Sequence, residues 1–480
     1  MGTKLPWDPQ FLIESLSDST IYMAYYTIAH LLQGDFYGHS VGPAGVKPEQ
    51  LTHEVFDYIF LSQGEGPKPT NVPEHSLEQL RREFEYWYPL DLRVSGKDLV
   101  QNHLTFFLYN HLAIFPEKHW PKGVRANGHL LLDDNKMSKS EGNFLTIFDS
   151  ILQFGSDATR FTLAEAGDGF SDANFKTDIA NKRVTQVFQE LQWIKEMVEH
   201  AKQGKFREGP QELWMDKVFG AEISHSIKLA LENYDSACYR MAVNASWHTL
   251  TAARDVYRRI LGEKVHKDLI FKYIRTLALL NAPVIPHFAE KVWELLGNTS
   301  LIVAERFPQV EEVDETLLAS KNHLFESIHE LRKRQAKTDK GKKKLRVYVA
   351  KSFPEYIVKA FSIISSFFDS EKKVLKADRK VVLNAVNSDP LVKQHSKDVT
   401  KLIPFVLSNL EKSGDLNAVS CSITFDEFSL FESNKSVICS ELEIEEVQVV
   451  AIEDKETAEL KPSLKTISSV RPYYPQFTFY

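Results

Sequence analysis

The sequence predicts an α/β protein, with a Rossmann-like segment followed by a helical bundle and then a small α+β domain. Three observations carry that prediction. Residues 90–114 read as a short strand, a turn at Gly96 and a helix, and residues 124–132 follow as a second extended segment. From 176 to 296 apolar residues recur every three or four positions, with few breakers before Pro283 and Pro286. Beyond 345, strand-like alternation returns, interleaved with helical stretches.

Along the chain, residues 17–32 predict a buried, aromatic-rich helix, and 34–73 a loop-rich stretch containing Gly64, Gly66, Pro67 and Pro69. Residues 77–87 predict a charged amphipathic helix; the strand at 90–95 and the helix at 98–114 come next. The extended segment 124–132 runs into Asp133-Asp134-Asn135, whose side chains favour a turn. Thr146 with Asp149 resembles a helix-capping pair. An acidic connector at 308–314 leads to a basic stretch, expected as a helix end running into an exposed loop at Lys342-Lys343-Lys344. Strands are expected near 345–350, 419–425 and 442–452, and helices near 355–368 and 391–412.

Composition excludes several classes. Of 480 residues, 43% are hydrophobic and 26% charged, which rules out wholesale disorder and collagen-like repeats. No apolar run approaches the roughly 20 residues of a membrane helix. Residues 1–10 lack a basic start with an apolar core, so no secretory signal is read there. Cys238, Cys421 and Cys439 are too few and too scattered for a disulfide framework or a four-cysteine zinc site, and a reducing cytoplasm is expected. The net charge of −7 hides a division. Residues 331–346 carry nine Lys or Arg against one Asp, whereas 441–459 carry eight Asp or Glu against one Lys. A local basic patch can meet a polyanion whatever the mean charge.

The stretch that carries chemistry is Lys136-Met137-Ser138-Lys139-Ser140, followed by Glu141-Gly142-Asn143. It offers two ammonium groups, two hydroxyls and backbone N–H donors on a loop that Gly142 lets bend. Those parts suit a triphosphate. As pyrophosphate leaves, charge builds on it, and preorganised lysines stabilise that charge more in the transition state than in the ground state. The bland alternative is a solvated surface loop with chance lysines.

The loop resembles the second signature of class I aminoacyl-tRNA synthetases, and the chain around it is similar to the archaeal/eukaryotic cytoplasmic type of leucyl-tRNA synthetase. The passages that carry the resemblance are Leu5-Pro6-Trp7-Asp8, residues 14–26, 87–111 and 125–144, and Asp172-Ala173-Asn174-Phe175. It implies the C-terminal half of a class I Rossmann-like catalytic domain over 1–148 and a stem-contact-like linker fold over 149–178. A tRNA-binding helical bundle of the anticodon-binding type would span 179–305, a charged linker 306–344 and a C-terminal α+β appendage 345–480. Lys136 and Lys139 would be catalytic, stabilising phosphate charge. ATP, with Mg²⁺, would meet Gly96, Asp98, His103, Gly128, His129, Met137, Ser138 and Ser140. Asp98 would accept from the ribose hydroxyls and Gly96 would allow close approach, although Asp98 reads equally as a plain helix N-cap. His103 would lie near the adenylate, against the alternative of a satisfied core histidine. Leu16, Ser19 and Tyr22, spaced by three on one helix face, would line the leucine pocket, against ordinary helix core.

Leucine and tRNA(Leu) are the implied partners, with no membrane and a cytoplasmic location. Residues 155–161 resemble the linker fold against the tRNA. Lys182, Arg183, Arg258 and Arg259 are candidate phosphate contacts, though solvated helix faces explain them as well. The 331–346 cluster is the strongest electrostatic footprint for RNA, with a solubilising linker as its rival. A multisynthetase or other protein partner through the C-terminal domain is a further expectation.

The family's first signature, His-x-Gly-His, is absent; neither Gly38-His39 nor Gly128-His129 supplies it. The first half of the nucleotide fold and the editing domain are missing with it. The expectation is therefore a partial chain, inactive alone, whose missing N-terminal half comes from the same gene product or from a separate subunit. The alternative is a non-catalytic tRNA-binding or scaffold remnant.

Overall fold

The computed structural model describes residues 2–5, 7–61, 68–138, 142–337, 339, 341–369, 374–413, 416–454 and 469–480. Lys139, Ser140 and Glu141 of the candidate loop lie outside the described residues. The chain divides into two compact units. One comprises Met1–Trp193, Ala230–Asn244 and Asn281–Lys291; the other comprises Ile194–Leu229, Ala245–Leu280 and Val292–Tyr480.

The first unit opens with an antiparallel pair, β1 (Gly2–Leu5) and β2 (Asp8–Glu14). The expected helix over 17–32 is two helices, α1 (Ser15–Asp18) and α2 (Tyr22–Leu32). The cause is local. The Ser19 hydroxyl donates to the Ser15 carbonyl and Thr20 to the Ser17 carbonyl, the kind of back-bonding that competes with helical geometry. Helices α3 (His53–Phe60) and α4 (Glu74–Trp87) pack on α2 through Ile28, Val55, Ile59, Leu77, Leu80 and Phe84, all nearly inaccessible to water. Each such side chain contributes about 1.5–3 kcal/mol.

Strands β3 (Arg93–Gly96) and β4 (Val124–Asn127) pair in parallel, with α5 (His103–Ile114) between them in sequence. That is the predicted strand–turn–helix unit, with its strand shifted and its helix entered through a 3₁₀ turn at Lys97–Leu99. The extended segment expected over 124–132 is two strands, β4 and β5 (Leu130–Leu132), broken at Gly128-His129; β5 pairs antiparallel with β6 (Asn135–Lys136) and parallel with β7 (Ala173–Phe175). The β5–β6 turn is the predicted one, and both Asp133 and Asp134 take positive φ, tolerable for Asp. Thr146 caps α6 (Ile147–Phe154), accepting from the Asp149 N–H at 3.0 Å, as expected. After α7 (Ser156–Ala166) and the long α8 (Thr177–Lys202), Asp157 caps another helix start, accepting from the N–H groups of Phe288 (2.6 Å) and His287 (3.3 Å).

The predicted helical region over 176–296 holds α8, α9 (Trp214–Asp235), α10 (Tyr239–Val243), α11 (Leu250–Leu261), α12 (Lys267–Asn281) and α13 (Pro286–Leu295). Within the second unit Phe219 stacks on Tyr257 at 4.5 Å. The buried Asp216 accepts from the Tyr257 hydroxyl (2.6 Å) and from Arg207 (2.5 Å), so its charge is paired. Burial, then Asp216, pushes the Tyr257 phenol above its ordinary range.

Helix α14 (Glu315–Lys337) delivers the basic stretch into β8 (Lys344–Val349). β8 is the centre of a three-stranded sheet, parallel to β11 (Glu446–Ala451) and antiparallel to β12 (Gln476–Phe479). Leu345, Val347 and Val349 face one core with Phe431 and Ile438. Tyr348 and Ala350 face another with Val450 and Val470. That alternation is the one the sequence displays. Between β8 and β11 lie α15 (Glu355–Ser366), the short pair β9 (Phe368–Asp369) and β10 (Val374–Leu375), then α16 (Arg379–Ser388), α17 (Pro390–Gln394) and α18 (Ser396–Ser413). Residues 419–425 form no strand, and α16, β12, α19 (Glu427–Ser433) and α20 (Lys435–Leu442) were not predicted. Asp426 starts α19 by accepting from the Ser429 N–H at 3.2 Å, a cap legible in hindsight.

Candidate active site

The parallel pairing of β3 and β4 brings two of the expected nucleotide turns together. Gly96 lies opposite Asn127, so Gly96-Lys97-Asp98 and Gly128-His129 leave the same ends of neighbouring strands. Those are the carboxyl ends, where ligands of open parallel sheets bind. Asp98 is exposed and does not cap α5; the Asn102 side-chain oxygen Oδ1 does, accepting from the His103 N–H at 2.5 Å. Among the described residues nothing donates to the Asp98 carboxylate, which leaves it open to accept. The plain N-cap alternative therefore falls.

Gly128 is pressed against the chain before β7. A Cβ there would sit 2.2 Å from the Ser171 carbonyl oxygen, closer than any real side chain tolerates. Its N–H donates to Gly169 at 3.1 Å. His129 follows, half-exposed, its N–H donating to Asp172 Oδ1 at 2.9 Å. The same oxygen takes Lys97 Nζ at 2.5 Å. Lys97 first, and then the His129 N–H, hold the Asp172 carboxyl below its ordinary range. Sequence reasoning singled out neither Lys97 nor Asp172 as a site residue. The signal was weak, a lysine inside the strand-end turn and an aspartate just before a strand 75 residues later.

His103 is buried and bridges α5 to the break between α1 and α2, its Nε2 donating to the Ser19 carbonyl at 2.8 Å. A carbonyl only accepts, so the proton sits on Nε2. Nδ1 is then a buried acceptor with no partner among the described residues. His103 is thus half satisfied as a core residue. Leu16, Ser19 and Tyr22 do not share one helix face, because the helix breaks between them; Leu16 is in α1, Ser19 ends it and Tyr22 begins α2. Leu16 is exposed, and the Tyr22 ring has the Arg93 guanidinium 5.7 Å above it.

The lysine loop leaves β6. Lys136 pairs in register with Leu131 and is exposed. Ser138 and Asn143 close the loop's base by a backbone bridge of 3.0 Å, and Asn143 Nδ2 donates to the Lys136 carbonyl at 3.2 Å. Gly142 takes φ +69°, a left-handed conformation that glycine adopts without strain. Met137 turns inward, lining an apolar cavity of about 340 Å³ with Leu130, Leu132, Leu145 and Phe175. The base of the loop is therefore fixed, and Lys136 beside it is exposed.

The candidate RNA contacts are largely engaged within the protein. Arg183 pairs with Glu165 at 2.5 Å and Lys182 with Asp178 at 3.3 Å. Arg259 and Arg332 both reach the nearly inaccessible Glu441. Lys342 bonds Asp339 (2.9 Å), Lys343 the Glu443 carbonyl (2.9 Å) and Lys344 Glu446 (2.9 Å). The basic and acidic stretches are thus partners across the small sheet, neither a bare RNA footprint nor a linker. Neutralising Lys342, Lys343 and Lys344 to Gln is expected to change the slope of log tRNA affinity against log salt by less than about one. Three unencumbered phosphate contacts would change it by about two to three.

The description "tRNA synthetases class I (M)" fits residues 73–192, and "Anticodon-binding domain of tRNA ligase" fits residues 216–349. The cytoplasmic leucine–tRNA ligase of Saccharomyces cerevisiae is 45% identical over 393 residues, 78% of this chain and 36% of that protein. That of Pongo abelii is 41% identical over 465 residues, 94% of this chain and 39% of that protein. The chain belongs to the leucine–tRNA ligase family. The family member of Dictyostelium discoideum is 37% identical over 491 residues, all of this chain and 46% of that protein. The chain therefore spans less than half the length of these curated relatives. These relatives are named cytoplasmic, and among the described residues no helix is long and apolar enough to cross a membrane. A solved structure described as the ternary complex of Agrobacterium radiobacter K84 agnB2 LeuRS-tRNA-LeuAMS covers 69% of this chain and 38% of that one. At 15% identity and a TM-score of 0.42, that likeness is too slight to argue from.

Proposed function

We propose that this chain forms the nucleotide-binding strand ends, the lysine loop and the tRNA-binding helices of a leucine–tRNA ligase. The observation that carries the reading is the β3–β4 register, which sets Gly96 and Asp98 beside Gly128 and His129, with the Lys136–Ser138 segment one hairpin further on. In this reading the leucine carboxylate attacks the α-phosphorus of ATP, leucyl-adenylate forms and pyrophosphate leaves. The tRNA 3′-terminal hydroxyl then attacks the leucyl carbonyl, and AMP departs. Asp98 accepts from the ribose hydroxyls while Gly128 and His129 border the adenine. His103 lies near the adenylate. Lys136 and Lys139 stabilise the charge growing on pyrophosphate, and Met137, Ser138 and Ser140 shape the loop around it. Leu16, Ser19 and Tyr22 border the leucine side chain from the α1–α2 break.

Mg²⁺ enters with the triphosphate, held by phosphates and waters in its usual manner. Among the described residues no cluster of three His, Cys, Asp or Glu stands ready to cage it.

The chain acts within a complete enzyme, together with a polypeptide carrying the His-x-Gly-His signature, continuous with it or separate. Leucine-dependent exchange of pyrophosphate into ATP tests this. The complete enzyme is expected to exchange with leucine and to charge tRNA(Leu). An assembly that binds tRNA(Leu) but never exchanges pyrophosphate would instead establish the non-catalytic remnant.

A further inference from the structure

Lys97 sits between the two residues of the expected ribose turn, Gly96 and Asp98. It is committed to Asp172 Oδ1 at 2.5 Å, with the Phe170 ring 5.7 Å away. Asp172 holds a second strand end with the same oxygen, through the His129 N–H at 2.9 Å. Gly128 adds a third constraint, since it lies against Ser171 with no room for a Cβ. Asp172 also immediately precedes β7, whose neighbour β5 leads through the hairpin to Lys136; Leu130 pairs with Ala173. One carboxylate therefore ties the end of β3, the end of β4 and the sheet that carries the lysine loop.

An exposed ion pair of this kind adds little stability by itself. Lys97 and Asp172 are about one-quarter and two-fifths exposed. What the arrangement supplies is distance, because each bond is charge-assisted and directional. ATP must touch Asp98 with its ribose and the loop lysines with its terminal phosphates at once. An ångström of misplacement between two such groups can cost on the order of 10²-fold in rate.

We propose that Lys97 and Asp172 form a positioning clasp that fixes the ribose turn, the adenine-side turn and the lysine loop at the spacing one ATP molecule requires. The clasp rests on the nucleotide site proposed above and deepens it. Neither residue touches substrate; both act through Asp98, His129 and the loop.

Two readouts test it. In the complete enzyme, Lys97→Met and Asp172→Asn are each expected to raise the KM for ATP in pyrophosphate exchange about tenfold, leaving the KM for leucine within about twofold. The double variant should be no worse than the worse single, and Lys97→Arg, which keeps the cation, should stay near the parent. In this chain by itself, hydrogen exchange at the His129 amide should speed up about tenfold in Lys97→Met, since the acceptor loses its anchor. An unchanged ATP KM, an equal rise for leucine and ATP, or an unchanged His129 amide would overturn the clasp. A parent enzyme without exchange, alongside a quickened His129 amide, would instead remove the proposed function and leave the clasp as a structural tie only.

Discussion

Lys136→Ala and Lys139→Ala are each expected to slow leucine-dependent pyrophosphate exchange by about 10²- to 10³-fold, equivalent to roughly 3–4 kcal/mol of transition-state stabilisation. For Lys136 the structure separates this loss from any loss of fold. Its backbone is held by the register with Leu131 and by Asn143, whereas its side chain is exposed. Truncation should change stability by no more than about 0.5 kcal/mol. The ATP and leucine KM values should move little, because charge on the leaving pyrophosphate is largest in the transition state. Exchange slowed to that extent with an unchanged melting temperature is the expected pair of results. A Lys136→Ala enzyme with parental exchange would remove that residue from the chemistry.

Gly128→Ala is expected to be the most damaging single methyl in the nucleotide region. The new Cβ would lie 2.2 Å from the Ser171 carbonyl oxygen and 2.7 Å from the Asp172 nitrogen, both backbone atoms that cannot swing aside. Relief requires the chain before β7 to move, so the His129–Asp172 hydrogen bond must lengthen with it. The cost of such overpacking is about 2–3 kcal/mol, read as a lower midpoint in denaturant. Gly142→Ala is the contrast. That glycine has nothing within 4 Å of a new Cβ among the described residues and only its φ of +69° to lose, so the cost should be about 1–2 kcal/mol. Equal midpoints for the two variants would mean that Gly128 is not held as tightly as its contacts indicate.

Local chemistry was legible in the sequence; long-range partnership was not. Thr146, Asp133-Asp134 and the strand–turn–helix around Gly96 appear where their side chains and spacing place them, because caps and turns are decided within a few residues. The lysine pentapeptide named its family for the same reason. The break at Ser19–Ile21 escaped because hydroxyl back-bonding leaves no mark on apolar periodicity. Helices α19 and α20 escaped because each runs only two turns and takes its stability from packing Phe431 and Ile438 under the small sheet. The two charged stretches looked like separate features because residues 347–440 lie between them. Only the parallel register of β8 with β11 shows that Lys344 and Glu446 are neighbours. Lys97 and Asp172 are the same case at the site itself.

The most direct test is the structure of the complete enzyme with ATP and leucine bound. The account predicts the ribose hydroxyls within about 3 Å of the Asp98 carboxylate, and the ammonium groups of Lys136 and Lys139 turned onto the β- and γ-phosphates. A nucleotide bound elsewhere, or bound here with both ammonium groups left facing water, would contradict it.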